Sequence, residues 1–416
     1  NNISCLMQSQ QEESLASAYM NIGRLYTLKG SIAESKKWYQ KVMNLVENIK
    51  NPKILARIYE KISMNYIFSS RFREAIKFFE KAQNFYQPDD YQDQRMISLL
   101  GVMAFAYANL GFSTKTQEVL MQLENILSHE KNPHVKTIGL HYSVLAQSHL
   151  GQVQDLEEEV LEEYLAQAQK QENRLLEYSL FFSVGYFYYR KRKLHKAFQY
   201  ISRSVKIGED LKVGVGILAP YLVLSEVGIR LKHYDEVRSY FSKMKKLIAQ
   251  NKDLFSFQWY LRLKALLLSY KIDAKEDKIK KLLQKAINYA YKMRLKPELA
   301  RNYYYYSMVC FNLGDFEKGQ IFEKRSQELF SQLNMEWEQE EIKSMVINQT
   351  LQTTQHFFGE KVRLEALSKV NQLIAKQKNA EDLLLSIMQS ALEISGATKG
   401  ALFLKINLDN QVSFKG

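Results

Sequence analysis

Proline and glycine are scarce in this 416-residue chain, at five and seventeen, and cysteine is nearly absent, at two. Each shortage excludes something. Few prolines and glycines leave little material for a turn-rich β architecture and favour long helices with short connections. Cys5 and Cys310 stand far apart without framework spacing, which argues against a disulfide scaffold and for a reducing compartment. Apolar runs of membrane length are missing: Val215 to Leu224 is interrupted by Pro220 and closed by Glu226. No secretory signal pattern stands at Asn1, and the chain reads as a piece of a larger, cytoplasmic protein.

Motifs of catalysis are lacking as well. There is no phosphate loop of the form G-x-x-x-x-G-K-[ST], no H-E-x-x-H and no cysteine pair at zinc spacing. Gly214 and Gly216 form a lone G-x-G that reads as loop. His129, His134, His141 and His149 crowd one region with no carboxylate or thiolate partner in pattern, so no metal, cofactor or catalytic residue is expected. The formal charge of +13 invites a phosphate-binding reading. It is unevenly spread, however. Residues 151–170 carry six acids against Lys170, and 190–206 carry seven bases and no acid. These read as local patches on solvated helix faces, and a helical regulatory region of a nucleic-acid-binding transcription regulator is kept as the alternative function.

Present in quantity are Tyr, at 26, and Phe, at 22, and they recur in register. The stretch Tyr59 to Ala82 contains two short amphipathic helices around a tight turn, with Tyr59, Ile62, Ser63 and Tyr66 on the first and Ala75, Phe79 and Ala82 on the second. The same phase returns with origins at Ala16, Ala56, Ile97, Thr137, Tyr178, Leu218, Tyr260 and Ala300, separated by 40, 41, 40, 41, 40, 42 and 40 residues. Repeat one gives Tyr19, Gly23 and Tyr26, a turn at Gly30, then Ser35, Tyr39 and Val42. Three units depart from the pattern where Gln147, Gly228 and Cys310 replace the tyrosine equivalent to Tyr66.

This pattern resembles the tetratricopeptide repeat (TPR), with a small residue and an aromatic four apart on the second helix. The period exceeds the usual TPR length of about 34 and overlaps that of HEAT-type repeats, but aromatic and small residues occupy the TPR signature positions. The resemblance implies an all-α fold, a right-handed superhelix of about eight long TPR-like hairpins over 16–345, after a leader at 1–15 to which no function is attached. It also implies a concave groove lined by first helices, holding a protein or peptide partner. The groove positions it selects are Arg57, Glu60, Met64, Phe105, His141, Phe182, Tyr186, Tyr189, Arg301, Tyr304, Met308 and Phe311. Aromatics with occasional arginines suit peptide recognition. The paired Lys and Asn of carboxylate-clamp arrays are not reproduced.

Past the array, the acidic stretch around Trp337 is expected to close the last pair and give it a solvent face. A linker and helix follow at 346–378, where Leu364, Leu367, Asn371 and Ile374 have the three-four spacing of a short coiled-coil seam that could pair two copies. Residues 379–416 then read as a helix and two strands, an α/β fragment. Its S-G-A-T-K-G-A-L-F-L junction resembles the entrance of a GAF domain, which implies a place in a signalling chain upstream of an output module.

Overall fold

A computed structural model describes residues 12–86, 94–153, 156–214, 216–251, 253–270, 275–343, 404–408 and 411–415. The chain divides into two compact units, Asn1–Ile342 and Lys343–Gly416.

Eight helical hairpins in succession make up the described part of the first unit. They are α1 (Glu12–Leu28) with α2 (Ile32–Met43), α3 (Pro52–Phe68) with α4 (Phe72–Gln83), α5 (Gln94–Leu110) with α6 (Ser113–His129), and α7 (Pro133–Leu150) with α8 (Glu158–Lys170). There follow α9 (Arg174–Arg190) with α10 (Leu194–Asp210), α11 (Leu218–Arg230) with α12 (Tyr234–Asn251), α13 (Leu254–Ser269) with α14 (Glu276–Lys292), and α15 (Lys296–Asn312) with α16 (Phe316–Gln332). A further helical segment, α17, begins at 336 and runs to 343.

Local sequence sets the starts of several first helices. Asn51 and Asn132 each precede a proline at the first helical position, and their side chains accept from Lys53 N and His134 N at 3.0 Å. Hairpin turns are equally regular: Gly30, Ser70, Gly111, Gly151, Arg192, Lys232 and Gly314 all have positive φ. Each ends its helix in the same way, the next amide donating to a carbonyl five residues back. Ser31 N donates to Tyr26 O, Arg71 N to Tyr66 O, Gln152 N to Gln147 O, His233 N to Gly228 O and Asp315 N to Cys310 O, all within 2.8–2.9 Å. The acceptor in each case is the signature-tyrosine position. Its backbone carbonyl does the same task whatever the side chain, which is why Gln147, Gly228 and Cys310 leave the hairpin intact.

Inside each hairpin, small residues let the helices approach. Ala75 is fully buried, and at Gly185 an added Cβ would run into Ile201. The aromatics fill the space so created: Phe79 is 1% exposed, and Tyr66 stacks on Phe78 with ring centroids 5.4 Å apart.

The coil also closes on itself. Added to Gly214, a Cβ would lie 2.6 Å from the Lys29 carbonyl carbon; added to Gly111, it would meet Leu333 and Pro297; added to Gly151, it would meet Trp337 at 2.5 Å. Phe72 packs edge-on to Phe255 at 5.4 Å, and Ser70 hydrogen-bonds the Asp253 carboxylate. The hairpin turn of each of repeats one to four therefore touches the start of the first helix five units later. Successive turns of the superhelix are in contact, and its axis is filled by protein.

One expectation is corrected here. The acidic stretch around Trp337 gives the array a solvent face only in part: Glu336 and Glu340 are exposed, but Trp337, Glu338 and Glu341 are 7%, 4% and 8% exposed. They are drawn inward because the closing coil lays α17 against repeats four and five.

Of the second unit, the described residues are a two-stranded antiparallel hairpin, β1 (Leu404–Leu408) and β2 (Gln411–Lys415), with Leu404 opposite Lys415 and Leu408 opposite Gln411. The proposed seam at 360–378 and the helix expected at 379–400 lie outside the described residues.

Candidate functional site

The closed axis holds a dense cluster of charged and aromatic side chains. It surrounds a cavity of about 20 Å³, enough for roughly one water. Two sets of helix ends meet there. From the last turns of α7, α9 and α11 come His149, Arg190 and Arg230; from the first turns of α15 and α17 come Glu298 and Glu338, and from further along α13, α15 and α17 come Gln258, Arg262, Arg301 and Glu341. Helix dipoles favour part of this arrangement, since cations sit well at C-terminal ends and anions at N-terminal ends.

Glu298 is the hub. It is fully buried, with Oε1 accepting from Arg301 Nη1 at 2.7 Å and Oε2 accepting from Gln258 Nε2 at 2.7 Å and from Arg262. Burial alone would raise its pKa, but the guanidiniums of Arg262 and Arg301 outweigh it and hold the carboxyl far below the usual range. Arg301 spends every donor: Nε and Nη2 on Glu338, Nη1 on Glu298 and His149 Nε2, Nη2 also on the His149 carbonyl. Glu226 takes the hydroxyls of Tyr189, at 2.5 Å, and Tyr305, and Trp259 Nε1 at 3.1 Å. Burial pushes both hydroxyls well above their ordinary pKa, which keeps them donors.

Histidines give the array a pH dependence of predictable sign. Burial lowers His141 to about 4, and burial together with Arg301 lowers His149 well below its ordinary value. In the unfolded chain both protonate near 6.5, so below that pH the unfolded state binds more protons and folding stability falls. This stability is complete above about pH 6.5. It is lost at up to about 1.4 kcal/mol per pH unit per histidine as pH drops, down to about 4 for His141. Urea midpoints measured from pH 7.5 to 4.5 should decline along this slope, and His141→Gln should flatten it.

Of the twelve groove positions selected from sequence, Tyr186, Tyr189, Arg301 and Tyr304 line the axis. Phe182 stacks on Tyr186 at 6.0 Å, and Tyr186 on Tyr189 at 6.2 Å, making one continuous aromatic face. Phe105 reaches the cluster's edge through His149. The remainder do not converge there. Arg57 is exposed, buried Glu60 pairs with Lys61, Met64 and Met308 are half-buried elsewhere, His141 packs on Tyr142, and Phe311 fills the space beside Gly319 in its own hairpin. Sequence reading missed Arg190, Glu226, Arg230, Trp259, Arg262, Glu298, Trp337, Glu338 and Glu341.

The charge patches have partners too. Glu158, from the acidic run, pairs with Lys193 and with Lys196 at 3.4 Å, and Arg203 lies 3.6 Å from Glu177. Arg190 is not on a solvated face at all, being 4% exposed. Much of the apparent basic stripe is thus offset by acids: Glu158 of the preceding repeat, Glu177 of the same hairpin, and Glu338 and Glu340 of α17. Among the described residues no group of three or more His, Cys, Asp or Glu could hold a metal ion, and no helix is long and apolar enough to cross a membrane.

The chain folds as a helical repeat array resembling those of the tetratricopeptide repeat. The family model for the tetratricopeptide repeat matches residues 14–87, repeats one and two. No curated protein matches the sequence. Among solved structures the chain is similar to a Rap protein complexed with competence and sporulation factor, with a TM-score of 0.56 and 11% identity, over 77% of this chain and 99% of that one. It is similar also to the Rap conjugation gene regulator of plasmid pLS20 in complex with the Phr* peptide, with a TM-score of 0.55 and 12% identity, over 77% and 96%. A third is aspartyl phosphate phosphatase F from Bacillus subtilis, with a TM-score of 0.51 and 12% identity, over 76% and 94%. At these identities the likeness is one of fold.

Proposed function

We propose that the array is the peptide- or protein-sensing region of a cytoplasmic signalling protein, with no catalytic site of its own. The observation that carries this reading is the axial cluster: a stacked aromatic face, Phe182, Tyr186 and Tyr189, beside the guanidiniums of Arg190, Arg230 and Arg301. Aromatics and arginines in a desolvated concave site are the residues that dominate peptide affinity. Two of the similar folds were solved with a competence factor or a peptide bound, which supports the same use here. Binding would act by shifting the coil, because each hairpin is a separate unit that can rotate a little against its neighbours. The signal would pass to residues 346–416, read as a linker helix able to pair two copies, followed by the start of a GAF domain and a downstream output module.

The test is a pull-down with Phe182, Tyr186 and Tyr189 each changed to Ala in one chain, checked by circular dichroism for retained helix. Partners captured by the wild type should fall at least tenfold. Retention of every partner by a folded triple variant would remove the groove assignment.

A further inference from the structure

The axial site is occupied by the protein's own α17. Trp337 lies against Tyr189, with ring centroids 5.8 Å apart, and under the Arg190 guanidinium at 4.5 Å, and its Nε1 donates to the Arg190 carbonyl. Glu338 lies 3.0 Å from Arg190 Nη2 and accepts from Arg301 Nη2 at 2.8 Å, while Glu341 accepts from Arg230 at 2.5 Å. This is how a bound peptide would be held: one aromatic anchor, with two carboxylates one helical turn apart.

Charge shows that the body of the array requires such an occupant. The four axial arginines face Glu226 and Glu298 from the body, which leaves two positive charges buried; Glu338 and Glu341 bring the balance to zero. Uncompensated buried charge is expensive, so the site selects a diacid. Yet α17 is an imperfect fit. Arg190 Nε and Glu338 Oε2 are both buried and have no hydrogen-bond partner, in a network where such vacancies are costly. An occupant that satisfied Arg190 Nε and left no carboxylate oxygen unpaired could compete with α17 despite its covalent tether.

We propose that α17 is an exchangeable internal ligand, and that the external ligand is an acidic peptide presenting an aromatic side chain next to two carboxylates spaced i, i+3. This rests on the peptide-sensing reading above and adds the ligand's chemistry and the route of release. α17 stands at the end of the first unit, so its displacement moves the point at which the chain leaves that unit.

The probe is a labelled, end-blocked synthetic octapeptide with the sequence of residues 335–342, added to the full chain and followed by fluorescence anisotropy. It should bind the E338Q/E341Q chain at least tenfold more tightly than the wild type, because weakening the internal ligand removes the competition. A probe with Gln in place of the two glutamates that correspond to Glu338 and Glu341, the other two kept, should bind at least tenfold more weakly than the acidic one. Equal affinity for the two chains, or for the two probes, would overturn the proposal. Should E338Q/E341Q fail to fold, hydrogen exchange on the wild type decides: excess acidic probe should speed exchange at amides 336–342, and unchanged rates there would overturn it. If natural partners bind the groove while these amides stay protected, the sensing reading stands and internal exchange is wrong.

Discussion

Changing Glu298 to Ala should destabilise the array by about 3–5 kcal/mol, the usual cost of removing one partner from a buried ion pair. The carboxylate is fully buried and serves two guanidiniums, Arg262 and Arg301, of which Arg262 is 1% exposed. Without it, Arg301 keeps Glu338, but Arg262 loses the carboxylate it pairs with and retains a long contact to Asn302 Oδ1 at 3.4 Å and the rings of Trp259 and Tyr305. Most of the cost is that stranded charge and not the worth of the pair. A double change, Glu298→Leu with Arg262→Leu, should therefore be less destabilising than Glu298→Ala alone. Urea denaturation followed by circular dichroism separates the outcomes. If the single variant unfolds at the wild-type midpoint, or the double is the worse of the two, Glu298 is not the electrostatic hub described. Acid should act in the same direction. The folded pKa of Glu298 is depressed, so its contribution is complete above the unfolded value near 4.5 and is lost as pH falls toward the folded one.

Why the hairpins were legible in the sequence and the axial site was not has a physical explanation. Each hairpin is a local object, fixed by a small residue against an aromatic and by a turn with positive φ, and these recur at fixed spacing. The four groove residues that do meet, Tyr186, Tyr189, Arg301 and Tyr304, follow from that same phase. Closure of the coil is different. It depends on a small rotation at every interface, summed over five units, and no single residue encodes it. The charges were nonetheless in plain view: Arg190 and Arg230 are 40 residues apart, as are Glu298 and Glu338, and Arg301 and Glu341. A charge in an amphipathic helix is by default a surface charge, which is how Arg190 and the acids around Trp337 were read. The available signal was the position of these columns at opposite ends of otherwise apolar first helices. Such a pattern makes sense only if the two ends meet.

Contacts between repeats five apart make this coil unlike an open solenoid, in which each unit touches only its neighbours and stability is a sum of nearest-neighbour terms. Trp337→Ala tests that difference. The ring is 7% exposed, is wedged against Tyr189 and Arg190, and its Cβ side closes on Gly151 five units back. Truncation of a buried tryptophan costs about 3–5 kcal/mol through lost contacts and the cavity left behind. In an open solenoid that loss would stay in the last unit, fraying the C-terminal end and leaving the remainder at its original dimensions. Here the same change removes the clasp between repeat four and α17, so the coil should loosen along its length. Small-angle scattering should report a larger radius of gyration for the folded variant, and hydrogen exchange should quicken at α7 and α9 as well as at α17. Faster exchange confined to α17, with an unchanged radius, would mean that the turn-to-turn contacts do not hold the array closed.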